Sequence, residues 1–252
     1  TKIDKWLLSK FNHIISKTSL ALDQFETRTA SQSVFYELED YLKWYNRRSK
    51  KQSPTWAIKE VLRARLIMLS PFMPFLSNEL HELLTGVSID ETNWPSISSD
   101  FDSPLIEFEE DLVRNLLSDL YEVKNVINKD PNLIRLYIPS KWKYQALKII
   151  IESNLDLGVS LKELMKNPVY RDMGGQVKKF TKVLIDSLKQ QPIERLSLLE
   201  SINEFDLYSS AQQFFEQEFD ANLEILQEDE NPLDPAGKAS HSLPFRPGIY
   251  ME

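Results

Sequence analysis

The sequence contains no cysteine. That absence removes disulfide scaffolds, thiolate zinc sites and cysteine nucleophiles together, and it fits a reducing compartment. Glycine is scarce, at six residues in 252. Gly174-Gly175 is too short to cradle a phosphate, and no serine-centred nucleophile elbow occurs. The three histidines, His13, His81 and His241, lie far apart, with no second His or Cys at metal-ligand spacing. No catalytic residue and no metal site are therefore expected. No apolar run approaches the roughly 20 residues that span a bilayer, so no membrane partner is expected and the compartment reads as cytoplasmic. Thr1-Lys2-Ile3-Asp4 lacks an initiator Met and a signal-type apolar segment, and reads as a cut made in a longer protein.

What is present suits a globular chain with a sizeable core: 42% hydrophobic and 27% charged residues. The net charge of −8 argues against strong non-specific binding to nucleic acid. Its distribution is uneven. Residues 132–198 hold 12 basic and 6 acidic side chains, whereas residues 199–252 hold 2 and 12. A basic middle segment can bind a polyanion locally, or it can pair with its acidic neighbours. Charge alone leaves both open.

The first part reads as helices. Trp6, Leu7, Phe11, Ile14, Ile15, Leu22 and Phe25 recur at three- and four-residue spacing over 4–25. Val34, Phe35, Leu38, Tyr41, Leu42 and Tyr45 give a second stripe over 31–46. Ser53-Pro54 reads as the start of a third helix, running to about Leu69. Pro74 restarts the pattern and Thr85-Gly86 stops it. Residues 87–104 read as a loop, and Leu112, Val113, Leu116, Leu117, Leu120, Val123 and Ile127 mark another helix. These make a bundle over 1–130.

The turn cluster Asn128-Lys129-Asp130-Pro131-Asn132 ends it. Leu133 to Ile138, closed by Pro139, reads as a strand. Helices follow at 141–153, 160–166, 175–190, 197–203 and 207–219, two with capping boxes, Ser160 with Glu163 and Ser197 with Glu200. Leu223 to Gln227 alternates and suits pairing with the first strand. Residues 131–227 thus form a small α+β domain. Residues 228–252 read as an extended, mobile tail ending in a short strand at Ile249-Tyr250-Met251-Glu252. The fold class is mainly α.

The carboxylate clusters carry no catalytic reading. Glu107-Glu109-Glu110-Asp111 suits a helix N-terminus, and Glu228-Asp229-Glu230 a solvated tail. Two basic regions remain. Arg47, Arg48, Lys50 and Lys51 lie between two helices. Lys141 and Lys143 flank Trp142, and Lys178, Lys179 and Lys182 surround Phe180. Bases interleaved with aromatics suit backbone tracking and base stacking. Trp142 and Phe180 also fall on apolar helix phases and suit the core equally.

Three stretches together resemble the C-terminal part of class I aminoacyl-tRNA synthetases of the leucine, isoleucine and valine group. Asp4-Lys5-Trp6-Leu7-Leu8-Ser9-Lys10-Phe11-Asn12 is similar to the D-x-W-I-L-S-x-L-N start of their anticodon-binding helical domain. Phe35-Tyr36-Glu37-Leu38 with Asp40-Tyr41 and Trp44-Tyr45 resembles its second helix. Leu69-Ser70-Pro71-Phe72-Met73-Pro74-Phe75-Leu76-Ser77-Asn78-Glu79-Leu80 and the loop ending Asn93-Trp94-Pro95 follow the same family's pattern. The ending Leu243-Pro244-Phe245-Arg246-Pro247-Gly248-Ile249-Tyr250-Met251-Glu252 resembles that of the archaeal-type leucyl enzymes, with Met251 where they carry isoleucine. The isoleucyl and valyl types, and a helical interaction scaffold without RNA binding, stand as alternatives.

The resemblance implies a definite role. Such an enzyme uses ATP and Mg to join leucine to its tRNA in a catalytic core, and carries a separate editing domain. The signature motifs of that core are absent here, so no cofactor is expected in this chain. Its partners would be leucine tRNA, with its long variable arm, and the catalytic and editing domains of the same protein. The helical domain would dock the tRNA body. The C-terminal domain would reach the variable arm with the ending Ile249-Tyr250-Met251-Glu252, its last two residues, Met251 and Glu252, contacting bases at the arm's tip. A glutamate there can accept hydrogen bonds from exocyclic amines of unpaired bases, and its α-carboxylate adds acceptors.

Overall fold

The computed structural model describes residues 1–49, 55–190 and 193–252. It divides into two compact units, 1–110 and 111–252.

The first unit is helical. α1 (Lys2–Asp23) buries Trp6, Leu7, Phe11, Ile14 and Ile15. It packs on α2 (Thr27–Gln32), α3 (Leu38–Ser49) and α4 (Trp56–Leu69). The stripe expected as one helix over 31–46 is two helices joined through a wide, π-helical turn at Ser33–Glu37. An extra residue in such a turn shifts the phase of the apolar side chains, which a fixed 3.6-residue period does not anticipate. Ser53 and Pro54, read as the start of the third helix, lie outside the described residues. The cap of α4 is Thr55, whose hydroxyl accepts from the Ile58 amide. α5 (Pro74–Thr85) has its proline in the first turn, and Gly86 closes it at φ 78°. That left-handed conformation suits glycine because no Cβ meets the carbonyl.

α6 (Pro104–Ile127) is continuous across the boundary between the two units.

In the second unit, β1 (Leu133–Ile138) is the central strand of a three-stranded sheet of order β2-β1-β3. β2 (Asn222–Gln227) runs parallel to it, with Ile134 opposite Leu223. β3 (Gly248–Met251) runs antiparallel, with Ile134 opposite Met251. A central strand is covered on both edges, which fits the apolar run at Ile134, Leu136, Tyr137 and Ile138. The β1-to-β2 crossover contains α7 (Lys141–Glu152), α8 (Leu157–Leu164), α9 (Pro168–Asp172), α10 (Gly174–Leu188), α11 (Ile193–Leu199) and α12 (Glu204–Phe219).

Two expected caps are corrected. Ser160 is fully buried inside α8, whose cap is Asp156, accepting from the Val159 amide. Ser197 lies within α11. In both helices, residues ahead of the expected cap are already helical.

Residues 228–247 are folded, not extended. Tyr137 donates its hydroxyl proton to the Leu233 carbonyl at 2.7 Å. The Lys143 ammonium donates to the carbonyls of Ser240 and Ser242 at 3.2 and 2.9 Å. The Phe245 amide donates to Glu204 at 2.6 Å. Polar composition points to mobility, but backbone groups of the segment, bonded to the buried Tyr137, Lys143 and Glu204 side chains, fasten it.

Candidate nucleic-acid interface

α10 is amphipathic. Val177, Phe180, Thr181, Leu184, Ile185 and Leu188 are buried on one face. Lys178, Lys179 and Lys182 are exposed on another. None of these three lysines has an ion-pair partner among the described residues. Their ammoniums are therefore available to an external anion.

The two aromatic–basic stretches meet in space. The rings of Trp142, from α7, and Phe180, from α10, lie 4.9 Å apart between centroids, and Tyr170 stands 6.3 Å from Trp142. Phe180 is 7% exposed and Trp142 partly so. The core reading of these aromatics therefore holds for Phe180. Beside them is a hollow of about 320 Å³, lined in part by Trp142, Lys179, Phe180 and His241. Neither His241 nor this hollow is marked by any local sequence signal. His241 lies 62 residues beyond Lys179 along the chain and reaches it only through the folded tail.

The remaining basic candidates divide sharply. Lys141 is exposed at the start of α7, and Arg47 is exposed near the end of α3. Lys50 and Lys51 lie outside the described residues. Lys143 is 1% exposed, and its ammonium sits 2.9 Å from Glu228. It is a buried fastener of the fold, not a phosphate contact. Arg48 donates from Nε to Glu110 at 2.6 Å, where the Trp44 indole also donates at 2.9 Å. Glu110 is 5% exposed, and a buried carboxylate needs such partners to offset lost hydration. Glu107 is similar. Ser9, Lys10 and His13 converge on it. Burial raises its pKa, but the hydrogen bonds from Lys10 and Ser9 outweigh that and hold it below the usual value. His13, Asp102 and Glu107 come close enough to share a cation, but the Lys10 ammonium already occupies that carboxylate. The acidic run at 107–111 thus supplies ion-pair partners as well as dipole compensation.

The chain's final residues form the edge strand. Met251 is 8% exposed and faces the core, so its side chain is not offered to a ligand. Ile249 and Tyr250 are half-buried, and the Glu252 side chain is exposed. The Glu252 main-chain oxygen accepts from the amides of Asn132 and Leu133 at 2.7 and 3.1 Å. That oxygen is therefore committed to the sheet. Tyr250 donates to the Glu252 carboxylate at 3.1 Å. Arg135 stacks its guanidinium 5.8 Å from the Tyr250 ring centroid and approaches Glu252 at 3.9 Å. Arg135 is absent from the sequence-derived set. The signal that could have found it is a lone cation in an apolar strand.

No helix among the described residues is long and apolar enough to cross a membrane.

This helical unit, followed by one that carries a small three-stranded sheet, defines a class. Residues 4–136 match the family described as the anticodon-binding domain of tRNA ligase, and the chain belongs to that family. Over 99% of its length it is similar to leucine-tRNA ligases: 30% identical to that of Methanosarcina acetivorans, 32% to that of Methanocaldococcus jannaschii and 31% to that of Pyrococcus horikoshii. The chain spans about a quarter of the length of these curated relatives, 25 to 26%.

Proposed function

We propose that the chain is the tRNA-docking part of a leucine-tRNA ligase, a protein of the cytoplasm. The observation that carries the reading is the similarity to such ligases along 99% of the chain. The exposed lysine face of α10 supports it, because unpaired ammoniums on a rigid helix suit backbone phosphates.

ATP and Mg belong to the catalytic core of such enzymes, and the residues here do not fit them. Gly174 and Gly175 begin α10 and make no phosphate-cradling loop. The one carboxylate cluster of ligand-like spacing among the described residues carries a lysine. No step of aminoacylation is therefore assigned to this chain. Its work is to hold the tRNA body while the rest of the protein reacts with the acceptor end.

Tyr250 and Glu252 are the residues for reading the long variable arm. The Glu252 carboxylate is exposed and can accept from base amines, and the Tyr250 ring offers a stacking face. The test is competition binding of leucine tRNA against a tRNA with a short variable arm, using the chain and its Glu252→Gln variant. The expected result is preference for leucine tRNA, reduced in the variant. Equal loss on both tRNAs would overturn the readout, and no binding to either at low salt would overturn the docking role. Deleting residues 249–252 is a poorer test, since it removes most of β3 from the sheet.

A further inference from the structure

A second hollow, of about 500 Å³, opens at the other end of the sheet. It is bordered by Ile138, Pro139 and Gln227, at the C-terminal ends of β1 and β2. Glu252 joins β1 at Asn132 and Leu133. With about 3.3 Å per residue, the two places are roughly 16 Å apart along the strand. The hollow is therefore separate from the candidate variable-arm residues.

One of its lining residues, Glu204, is an unusual group. Glu204 is 2% exposed. Its Oε2 accepts from the Tyr144 hydroxyl and the Phe245 amide, both at 2.6 Å. Its Oε1 is buried and has no hydrogen-bond partner. Leaving such an acceptor empty costs about 1–3 kcal/mol. Burial pushes the carboxyl up to about 7.

The walls and rim fit one kind of molecule. Tyr144, Leu147 and Phe205 give apolar and aromatic surface. Lys141, Tyr144 and Lys148 fall at i, i+3 and i+7 on α7, hence on one face of the helix. Both lysines are exposed and have no ion-pair partner among the described residues. Glu200 also lines the hollow and is exposed. Flat apolar walls, a single buried acceptor and cations at the mouth match a nucleotide, with its base inward and its phosphate outward.

We propose that this hollow receives one unpaired, amine-bearing nucleotide of the bound RNA. On binding, the Glu204 side chain turns toward the hollow so that its unpartnered Oε1 accepts from the exocyclic amine, and Lys141 and Lys148 hold the adjoining phosphate. The inference rests on the reading of the chain as a tRNA-docking part and deepens it. Uracil is disfavoured because its carbonyls flank the one ring N–H and face the carboxyl.

The test is a titration of the isotope-labelled 252-residue chain with AMP, CMP and UMP at about pH 8.5, where the Glu204 carboxyl is mostly charged and Oε1 is an acceptor, followed by amide shifts. Saturable shifts at Leu147, Glu204 and Phe205 are expected with AMP and CMP, and weaker binding with UMP. Lys148→Glu, on an exposed helix face, should weaken AMP binding by roughly tenfold while the helical signal is unchanged. Glu204→Gln can present an NH₂ to the hollow in place of an acceptor, so the preference against UMP should shrink or reverse. The inference is overturned if those amides do not move at millimolar nucleotide, if Lys148→Glu has no effect, or if folded Glu204→Gln leaves the preference intact. If Glu204→Gln does not fold, the titration and Lys148→Glu still decide. Should tRNA bind undiminished by Lys148→Glu while the hollow stays silent, this inference fails and the docking reading stands. Should no tRNA bind, the docking reading fails, whatever the mononucleotides show.

Discussion

The Lys143 ammonium lies 2.9 Å from the Glu228 carboxylate, in a place where Lys143 is 1% exposed. The same ammonium takes the Ser240 and Ser242 carbonyls and the Ser242 hydroxyl. A buried lysine with this many acceptors is a tie between α7 and the 228–242 segment. Replacing it with methionine keeps the stem packing but takes the donor from two carbonyls and the cation from a partly buried carboxylate, which keeps the Ser140 amide and hydroxyl. The expected loss of stability is about 3 kcal/mol, read by urea unfolding, with faster hydrogen exchange at the Ser240 and Ser242 amides. A loss within experimental error would show that the tie is dispensable.

Gly248 marks another close approach. A Cβ built there would stand 2.4 Å from the Lys238 carbonyl oxygen and 2.9 Å from its carbon. Both contacts are backbone, so neither can swing aside. Gly248→Ala should force β3 away from this segment and cost roughly 1–3 kcal/mol. Thermal unfolding measures it, and an unchanged midpoint would show that the segment moves freely.

These two contacts explain what the sequence could and could not convey. β1 is legible residue for residue, because Leu133 to Ile138 is a branched apolar run bounded by turn residues. α5 is legible because Pro74 and Gly86 punctuate it. The stripes of α1 and α6 are legible because their burial repeats with the helix. Lys143 is not legible. It reads as one of a basic pair around Trp142, and its partner Ser242 is 99 residues away. Arg48 and Glu110 are 62 residues apart. Local patterns report a side chain's charge and phase, but not the opposite charge that folding brings to it. For the same reason the helical phase of the α10 lysines is legible, while the hollow beside them, completed by His241, is not.

Glu204 should leave a signature in the pH dependence of stability. Its carboxyl titrates near 4.5 when unfolded and about 7 when folded, because burial disfavours the charged form. Between those values the folded chain retains a proton that the unfolded chain has released. The contribution is therefore complete below about 4.5, falls as pH rises toward 7 and is level above. The total is on the order of 3 kcal/mol. Glu107 has the opposite sign. Its stabilisation is present above about 4.5 and is lost as pH falls further, so the two windows scarcely overlap. Glu204→Gln should abolish the decline between about pH 5 and about pH 7 measured by urea unfolding. A decline identical to that of the parent chain would remove Glu204 as its source.

The lysine face of α10 predicts a change in salt dependence, not only in affinity. If Lys178, Lys179 and Lys182 each neutralise a phosphate, their binding releases condensed counterions from the RNA. The slope of log affinity against log salt then carries somewhat less than one unit per contact. The triple alanine variant should lower the magnitude of that slope by about 2 and weaken tRNA binding most strongly at low salt. Its stability should stay within about 0.5 kcal/mol of the parent, since all three side chains are exposed and unpaired among the described residues. By contrast, Lys143→Met should leave the slope unchanged, because its charge faces Glu228 and not solvent. Filter binding over a salt series distinguishes the two. An unaltered slope in the triple variant would remove α10 from the interface, whereas a slope change from Lys143→Met alone would mean that the 228–242 segment opens when RNA binds.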